Sequence, residues 1–382
     1  MNRRDFVKNS ALSAGAIAAS GFLAERAAAA SGGKPAKIKI AQLGVGHAHA
    51  SERMKSLASL PDDFEIVGVV AERTDSTEIS RGGKGSKTYS GLKWMTEEEL
   101  LATPDLQAVM VETANRDLVP AATRCMEKGL AICMDKPGGE NLEDYRKLLD
   151  GCRDKKLPFQ IAYMLRTNPG IQFIRKAVSE GWLGDIHEIQ ASMSHDYSDE
   201  AYLRYLGDFS GGTMFLLGCH HIDWITSLLG RPGNVTAFMG STKEAAGKGR
   251  NNCLAVLEYA HTIASIHVSD SEVEGLSNRR IKVSGNKGTI ELSPVERFGA
   301  PHLLKLRLKE KAGTYAKGTH TVDLGIRKDR YVDQLKEFGA IVRGEIGNPF
   351  SYGHDLLVQE ILLSAAGYTK WGTPAPAPQA HQ

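Results

Sequence analysis

The sequence predicts two units in series: a doubly wound α/β domain built on a parallel sheet, then an open, mostly antiparallel sheet domain. Three observations carry this. Four apolar or β-branched runs, Lys37–Leu43, Phe64–Ala71, Leu106–Thr113 and Leu130–Met134, alternate with helical patterns before residue 135. The first run breaks directly into Gly44-Val45-Gly46 and a helical pattern through Ala58, the strand, glycine turn and helix that a dinucleotide fingerprint requires. After residue 185 the rhythm changes to short β-like runs divided by turns.

Taken in order, residues 1–30 stand apart from the fold. Asn2-Arg3-Arg4-Asp5-Phe6-Val7-Lys8 resembles a twin-arginine export signal, followed by an Ala/Gly-rich apolar run from Ala11 to Leu23 and a cleavage-like Ala27–Ala30. Export to the periplasm, or otherwise out of the cytoplasm, is the expectation. The apolar run lacks the length and hydrophobicity of a membrane span, so no membrane anchor is expected. The formal charge of +2 is accounted for by this leader, where Arg3, Arg4, Lys8 and Arg26 face Asp5 and Glu25. The remainder is near neutral and offers no basic field for nucleic acid. Five cysteines, odd in number and without metal-ligand pair spacing, signal neither a disulfide framework nor a metal site; buried free thiols are expected.

The dinucleotide-binding domain is placed at residues 37–160. In the glycine turn, Gly44 permits the sharp bend and Gly46 the close approach of backbone to a pyrophosphate, with His47 next to it at the helix start. The third small-residue position of the fingerprint holds His49, a side chain that must find room between helix and strand. The second strand runs out at Glu72, where an acid can hydrogen-bond a ribose 2′-hydroxyl. Arg73 beside it suits adenine or a 2′-phosphate, so NAD is expected and NADP remains open. Thr113 and Asn115 end the third strand at the same edge. The fourth runs into Asp135-Lys136-Pro137-Gly138-Gly139, which aims a lysine into the crevice outside the strand ends. Asn141 caps the helix that follows, over Leu142–Lys155.

Residues 161–344 form the second domain, with strands expected at Ile186–Met193, Val235–Gly240, Cys253–Tyr259, Thr262–Val268, Ile281–Ser284 and Leu303–Leu308. Helical patterns at Arg330–Arg343 and His354–Tyr368 close the chain, the region 354–371 returning to the first domain. His195–Phe209, with Tyr197, Tyr202, Arg204 and Tyr205, reads as a polar, irregular stretch suited equally to sugar binding and to an oligomer contact.

Lys37–Glu72, Asp105–Asn115, DKPGG, QIAYMLRTN (Gln160–Asn168), EGWLGD (Glu180–Asp185), Gly211–Asp223, RRIKVSGNKGTIEL (Arg279–Leu292) and Arg330–Glu345 together resemble the Gfo/Idh/MocA family of nicotinamide-dependent oxidoreductases. The resemblance spans nearly all of the chain after the leader. It implies a Rossmann-type first domain, a sheet domain that covers the cofactor and joins copies into a homo-oligomer, and a sugar, polyol or keto-sugar as substrate. It also places Tyr163, Arg166 and Asn168 near that substrate.

Gly211–Gly230 is helical by periodicity, with Leu216, His220, Asp223 and Ser227 along one face and His221 turned roughly 100° from His220. Gly218, His220 and Asp223 match the family's pattern; Leu216 stands where an aspartate belongs. Oxidising a carbinol requires a base for the hydroxyl proton while hydride leaves, and histidine titrates in the useful range. His220 is the expected base, with Lys136 the cation that hydrogen-bonds the same oxygen. His221 is assigned to structure, and Asp223 to substrate or to orienting a partner. Two other readings stay open: a cofactor-assisted glycosidase acting through transient oxidation, and a cofactor-binding sensor without turnover.

Overall fold

The computed structural model describes residues 36–71, 86–245 and 249–372. The leader, Glu72 and Arg73 lie outside these residues. The first sheet contains β1 (Ile38–Leu43), β2 (Phe64–Val70), β3 (Trp94–Met95), β4 (Ala108–Val111), β5 (Ala131–Met134) and β6 (Phe159–Ile161), in the spatial order β3-β2-β1-β4-β5-β6. All five pairings are parallel. β4 and β5 are buried along their whole length, as near-continuous apolar strands covered on both faces must be. The order reverses between β1 and β4, and in such sheets ligands bind outside the carboxyl ends of the strands at that reversal.

The second sheet holds β7 (Ile186–Ser194), β8 (Asn234–Gly240), β9 (Asn252–Glu258), β10 (Ile263–Ser269), β11 (Ile281–Gly285), β12 (Gly288–Leu292), β13 (Leu303–Leu308) and β14 (Gly318–Asp323), in the order β14-β13-β12-β11-β7-β10-β9-β8. Only β7 with β10 is parallel; the other pairings are antiparallel. The expected architecture is therefore the observed one. Four strands were not separately anticipated: β3 has two residues, β6 three, and β12 and β14 carry Gly, Thr and charge rather than a long apolar run.

Two helical expectations change. His195–Phe209 contains a helix, Glu200–Gly207, because the Asp199 side chain accepts from the N–H groups of Ala201 and Tyr202 and so supplies the start. Its buried residues, Tyr205 and Leu206, are adjacent in sequence, so no three- or four-residue spacing of buried positions marks the helix. Gly211–Gly230 is not one regular helix. Met214–Gly218 forms a π-type turn, and the α-helix proper runs from Cys219 to Leu229.

Helix Tyr352–Ala365 packs on helix Leu142–Asp154 of the first domain and on Cys219–Leu229 of the second. All five cysteines are buried and free.

Candidate active site

Three consecutive strand ends assemble the floor of the site. Leu43 accepts from the Glu112 N–H, Glu112 from the His47 N–H, and Val111 from the Asp135 N–H, at 2.8, 2.9 and 3.0 Å. These backbone bonds set the glycine turn, Glu112 and the Asp135-Lys136 junction side by side. Gly44 holds φ +89°, and a Cβ there would lie 2.6 Å from the Thr113 backbone N. Only glycine lets the turn rest against that strand end. His49 finds its room by pointing at Asp135, with Nδ1 3.2 Å from Oδ2. His47 Nδ1 is 3.1 Å from the same oxygen.

Lys136 and His220 come together on one small cavity of about 50 Å³. His47, Asn115 and Leu216 line it too, with His195, Tyr197, Tyr202, Tyr205, Arg279 and Arg330 from the second domain and its flanks. The Lys136–Pro137 peptide is cis, and the Lys136 ammonium donates one hydrogen bond, 2.7 Å, to the Leu216 carbonyl. That carbonyl belongs to the π-type turn. The turn brings the Leu216 and His220 side chains to the cavity while Asp223 faces elsewhere. His220 is 2 % exposed, and its Nδ1 makes no hydrogen bond. Burial, and then the Lys136 ammonium beside it, hold its pKa well below the usual histidine value. His220 is thus a neutral imidazole at neutral pH, able to accept a proton.

Tyr163 packs edge-on behind His220, ring centroids 6.1 Å apart, with its hydroxyl buried and unpaired. Arg166, Asn168 and Asp223 are not at the cavity. Arg166 reaches Asp223 at 2.7 Å and Asp355 at 2.5 Å, and His354 closes the group at 2.9 Å from Asp223. Burial alone would raise the Asp223 carboxyl, but Arg166 and His354 outweigh it and hold it at about 2. Asn168 caps helix Pro169–Ser179 and donates to the Val295 carbonyl at 2.9 Å. The hydrogen-bonding capacity of these three goes into joining elements. His221 donates from Nε2 to the Ser192 carbonyl and accepts the Trp224 indole N–H at Nδ1, pinning its helix to β7.

Several cavity residues carried no distinguishing signal. Arg279 pairs with Glu296 at 3.0 Å and also donates to His195. Burial, then Arg279, takes His195 down to about 2. Nothing in the spacing of Arg279 or Arg330 relates them to Lys136. Tyr205 donates to the Asn115 side-chain oxygen, which ties helix Glu200–Gly207 to the segment that follows β4.

The donor set fits a dinucleotide: a glycine cradle that a Cβ would fill, a strand-end asparagine, and a lysine beside a neutral histidine. The cavity itself is small, and Tyr202 and Tyr205 of helix Glu200–Gly207 line it.

Two family models match. One, described as an oxidoreductase family with an NAD-binding Rossmann fold, covers residues 38–163; the other, the GFO/IDH/MocA C-terminal domain, covers 171–291. Among curated relatives, trans-1,2-dihydrobenzene-1,2-diol dehydrogenase of Bos taurus is 24 % identical over 249 residues, covering 64 % of this chain and 70 % of the relative. The scyllo-inositol 2-dehydrogenase (NADP(+)) of Bacillus subtilis is 27 % identical over 211 residues, 55 % of this chain and 56 % of the relative. The chain thus spans little more than half the length of the latter. Among solved structures, GenD2 from gentamicin A biosynthesis in complex with NAD superposes with a TM-score of 0.71 at 20 % identity, over 90 % of this chain and 99 % of that one. UDP-N-acetylglucosamine 3-dehydrogenase from Acidithiobacillus ferrooxidans gives 0.68 at 16 %, over 87 % and 97 %. With both family models matched in order along one chain, and the parallel and antiparallel sheets they require both present, this protein belongs to the Gfo/Idh/MocA oxidoreductases and carries their NAD-binding Rossmann domain.

Proposed function

We propose that this chain is an exported oxidoreductase that moves hydride between a tightly held nicotinamide and the CH–OH carbon of a sugar, polyol or keto-sugar. The observation that carries the reading is the one cavity shared by Lys136, His220, Asn115 and the His47–His49 helix start. The relatives named above act, by their names, on a cyclic polyol and a cyclic dihydrodiol, which supports a ring carbinol as the reacting group. The nicotinamide supplies the hydride acceptor when bound. The protein's own part is to hold and move the proton: His220 accepts it from the carbinol hydroxyl, and Lys136 donates a hydrogen bond to the oxygen as negative charge develops there. Gly44, Gly46, His47, Thr113 and Asn115 hold the cofactor, with Glu72 and Arg73 assigned to its adenosine end. NAD is favoured over NADP by Glu72.

Export by a route that carries folded proteins lets the nucleotide travel inside its cleft. Helix Glu200–Gly207, bonded to Asn115 through Tyr205, is placed to slow its loss. On this reading the hydride is passed to a second substrate at the same site or returned to the first. The test is direct: purified mature protein should keep near-stoichiometric nucleotide through extensive dialysis, and bound NADH should reoxidise when a keto-sugar is added. Protein that emerges empty and consumes free NAD at every turnover would overturn the retained-cofactor reading. Unchanged nicotinamide absorbance across a panel of sugars and polyols would overturn the oxidoreductase reading.

A further inference from the structure

Below the glycine turn, two imidazoles converge on one carboxylate oxygen. His47 Nδ1 stands 3.1 Å and His49 Nδ1 3.2 Å from Asp135 Oδ2, and the three groups place their ligand atoms within 4.8 Å of one another. We propose that His47, His49 and Asp135 form a binding site for one divalent transition-metal cation, opening onto the cavity that Lys136 and His220 share.

The hydrogen bonds around the cluster point to it. The Nε2 of His47 lies 3.1 Å from the Lys136 carbonyl, an acceptor, and 3.3 Å from the Asn115 side-chain nitrogen, a donor, so the ring proton can sit on either nitrogen. In the Nε2–H tautomer Nδ1 presents its one lone pair, which a bound cation would take in place of the long 3.3 Å contact from the His49 backbone N–H. Its other neighbour is a carboxylate oxygen, also an acceptor. With Nε2 protonated, two acceptors face each other 3.1 Å apart and call for a cation or a second ring proton between them; with the proton on Nδ1 the pair is an ordinary hydrogen bond, which a bound metal would displace. In the Nε2–H tautomer a cation meets that need without protonating the ring further.

The geometry suits such an ion. At metal–ligand distances of about 2.0–2.2 Å, neighbouring ligand atoms in a tetrahedral or octahedral shell lie about 3.0–3.5 Å apart. Both histidine–carboxylate separations fall there. Asp135 Oδ1 accepts the Lys136 N–H at 2.7 Å, which leaves Oδ2 as a one-toothed ligand. The His47 Nε2–H bond to a backbone carbonyl is the outer support that ligating histidines ordinarily have. Arg53 is shared: its Nε is 2.5 Å from Glu112 and only 3.9 Å from Asp135 Oδ2, so its closer partner is Glu112. The other candidate cluster, Asp223, His354 and Asp355, differs on this point. Arg166 lies between its two carboxylates and supplies the cation, so that cluster carries no ion.

Two imidazoles and one carboxylate select zinc, iron(II), cobalt(II) or manganese(II) rather than calcium or magnesium, and leave coordination positions for water or a ligand oxygen. The His49 side chain is 25 % exposed and lines the cavity, so the open side faces the space where a hydroxyl or carbonyl would approach Lys136. The site stands whether or not the chain oxidises a sugar, and its test reads metal alone.

Untagged full-length protein, stripped with chelator, is titrated with cobalt(II) and zinc(II). One equivalent should bind, cobalt should develop the intensified visible bands of low-coordinate nitrogen and oxygen ligation, and the melting temperature should rise. His49→Ala removes a partly exposed ligand that makes no capping bond to its helix. It should weaken binding at least about tenfold and abolish the melting shift while near-ultraviolet dichroism is kept. Asp135→Asn should do the same; if it fails to fold, the His49 variant decides. His354→Ala, at the arginine-filled cluster, should leave the stoichiometry at one. Cobalt that keeps its aqueous spectrum, or binding equally tight in His49→Ala, overturns the proposal and makes the cluster an imidazolium–carboxylate pair.

Discussion

Burial together with a neighbouring ammonium keeps the His220 imidazole neutral where most surface histidines are partly charged. A base in that state works down to lower pH than its intrinsic value allows. We expect His220→Ala and Lys136→Met each to lower turnover by about 10²–10⁴ with nucleotide binding retained, measured by dialysis and by steady-state rates on the best substrate found. Leu216 is the more informative position. Its carbonyl accepts from Lys136, and its side chain faces the same cavity as His220. Leu216→Asp places a carboxylate against both, which must raise the His220 pKa. The acid limb of the rate profile should move to higher pH; an unmoved limb would mean another group is the base. At this scale the sequence was partly legible. Lys136 announces itself through its strand end and proline, and His220 through the family register. Arg166 and Asp223 look like binding residues in sequence because nothing local shows that Asp355, 189 positions beyond Arg166, shares the guanidinium with Asp223.

Secondary elements carry the motions and the acid sensitivity. Helix Glu200–Gly207 is tied to the first domain by the Tyr205 hydroxyl on Asn115. Tyr205→Phe should speed release of bound nucleotide several-fold while leaving the melting temperature nearly unchanged, read by fluorescence of displaced NADH. Equal release rates would mean that the helix does not retain the cofactor. Helix Cys219–Leu229 is pinned through His221, which burial takes down to about 4. The unfolded chain takes up this proton near pH 6.5 and the folded chain refuses it. His221 therefore contributes full stability above about pH 6.5, and that contribution is lost as pH falls toward 4, by up to about 1.4 kcal/mol per pH unit. Replacing it with glutamine, which also donates and accepts but does not titrate, should flatten the fall of urea midpoint between pH 6.5 and 5. The longer strands were readable from alternation or from unbroken apolar runs, while β3, β6, β12 and β14 were too short or too polar to stand out. Helix Glu200–Gly207 was not readable, since its two tyrosines are ambiguous between core and surface until Asp199 is seen to cap it.

Across the molecule, the two domains are joined by buried charge. Arg166 follows β6, Asp223 sits on the helix after the π-type turn, and Asp355 is on helix Tyr352–Ala365. Removing the cation strands two carboxylates away from water. Arg166→Met should cost about 3–5 kcal/mol of unfolding free energy in urea, a loss that a substrate-binding arginine at an open cleft would not produce. A loss under about 1 kcal/mol would show that the group is solvated. The doubly wound order of the first sheet could be anticipated because each strand end announces its turn. The clamp could not, because long-range ion pairs leave no local period.

The glutamine at 359 has a bearing on how the protein is made. Its side chain accepts from the Gly138 N–H at 3.0 Å and donates to the Gly139 carbonyl at 2.5 Å, so it grips the loop that follows Lys136 from both sides. The ribosome reaches that glutamine more than two hundred residues after the lysine it steadies. A nascent chain can therefore complete its parallel sheet while the lysine loop is still slack, and the loop stiffens only when helix Tyr352–Ala365 emerges and docks. Synthesis halted before that helix would release a chain whose nucleotide domain is formed and whose Lys136 loop is not yet set.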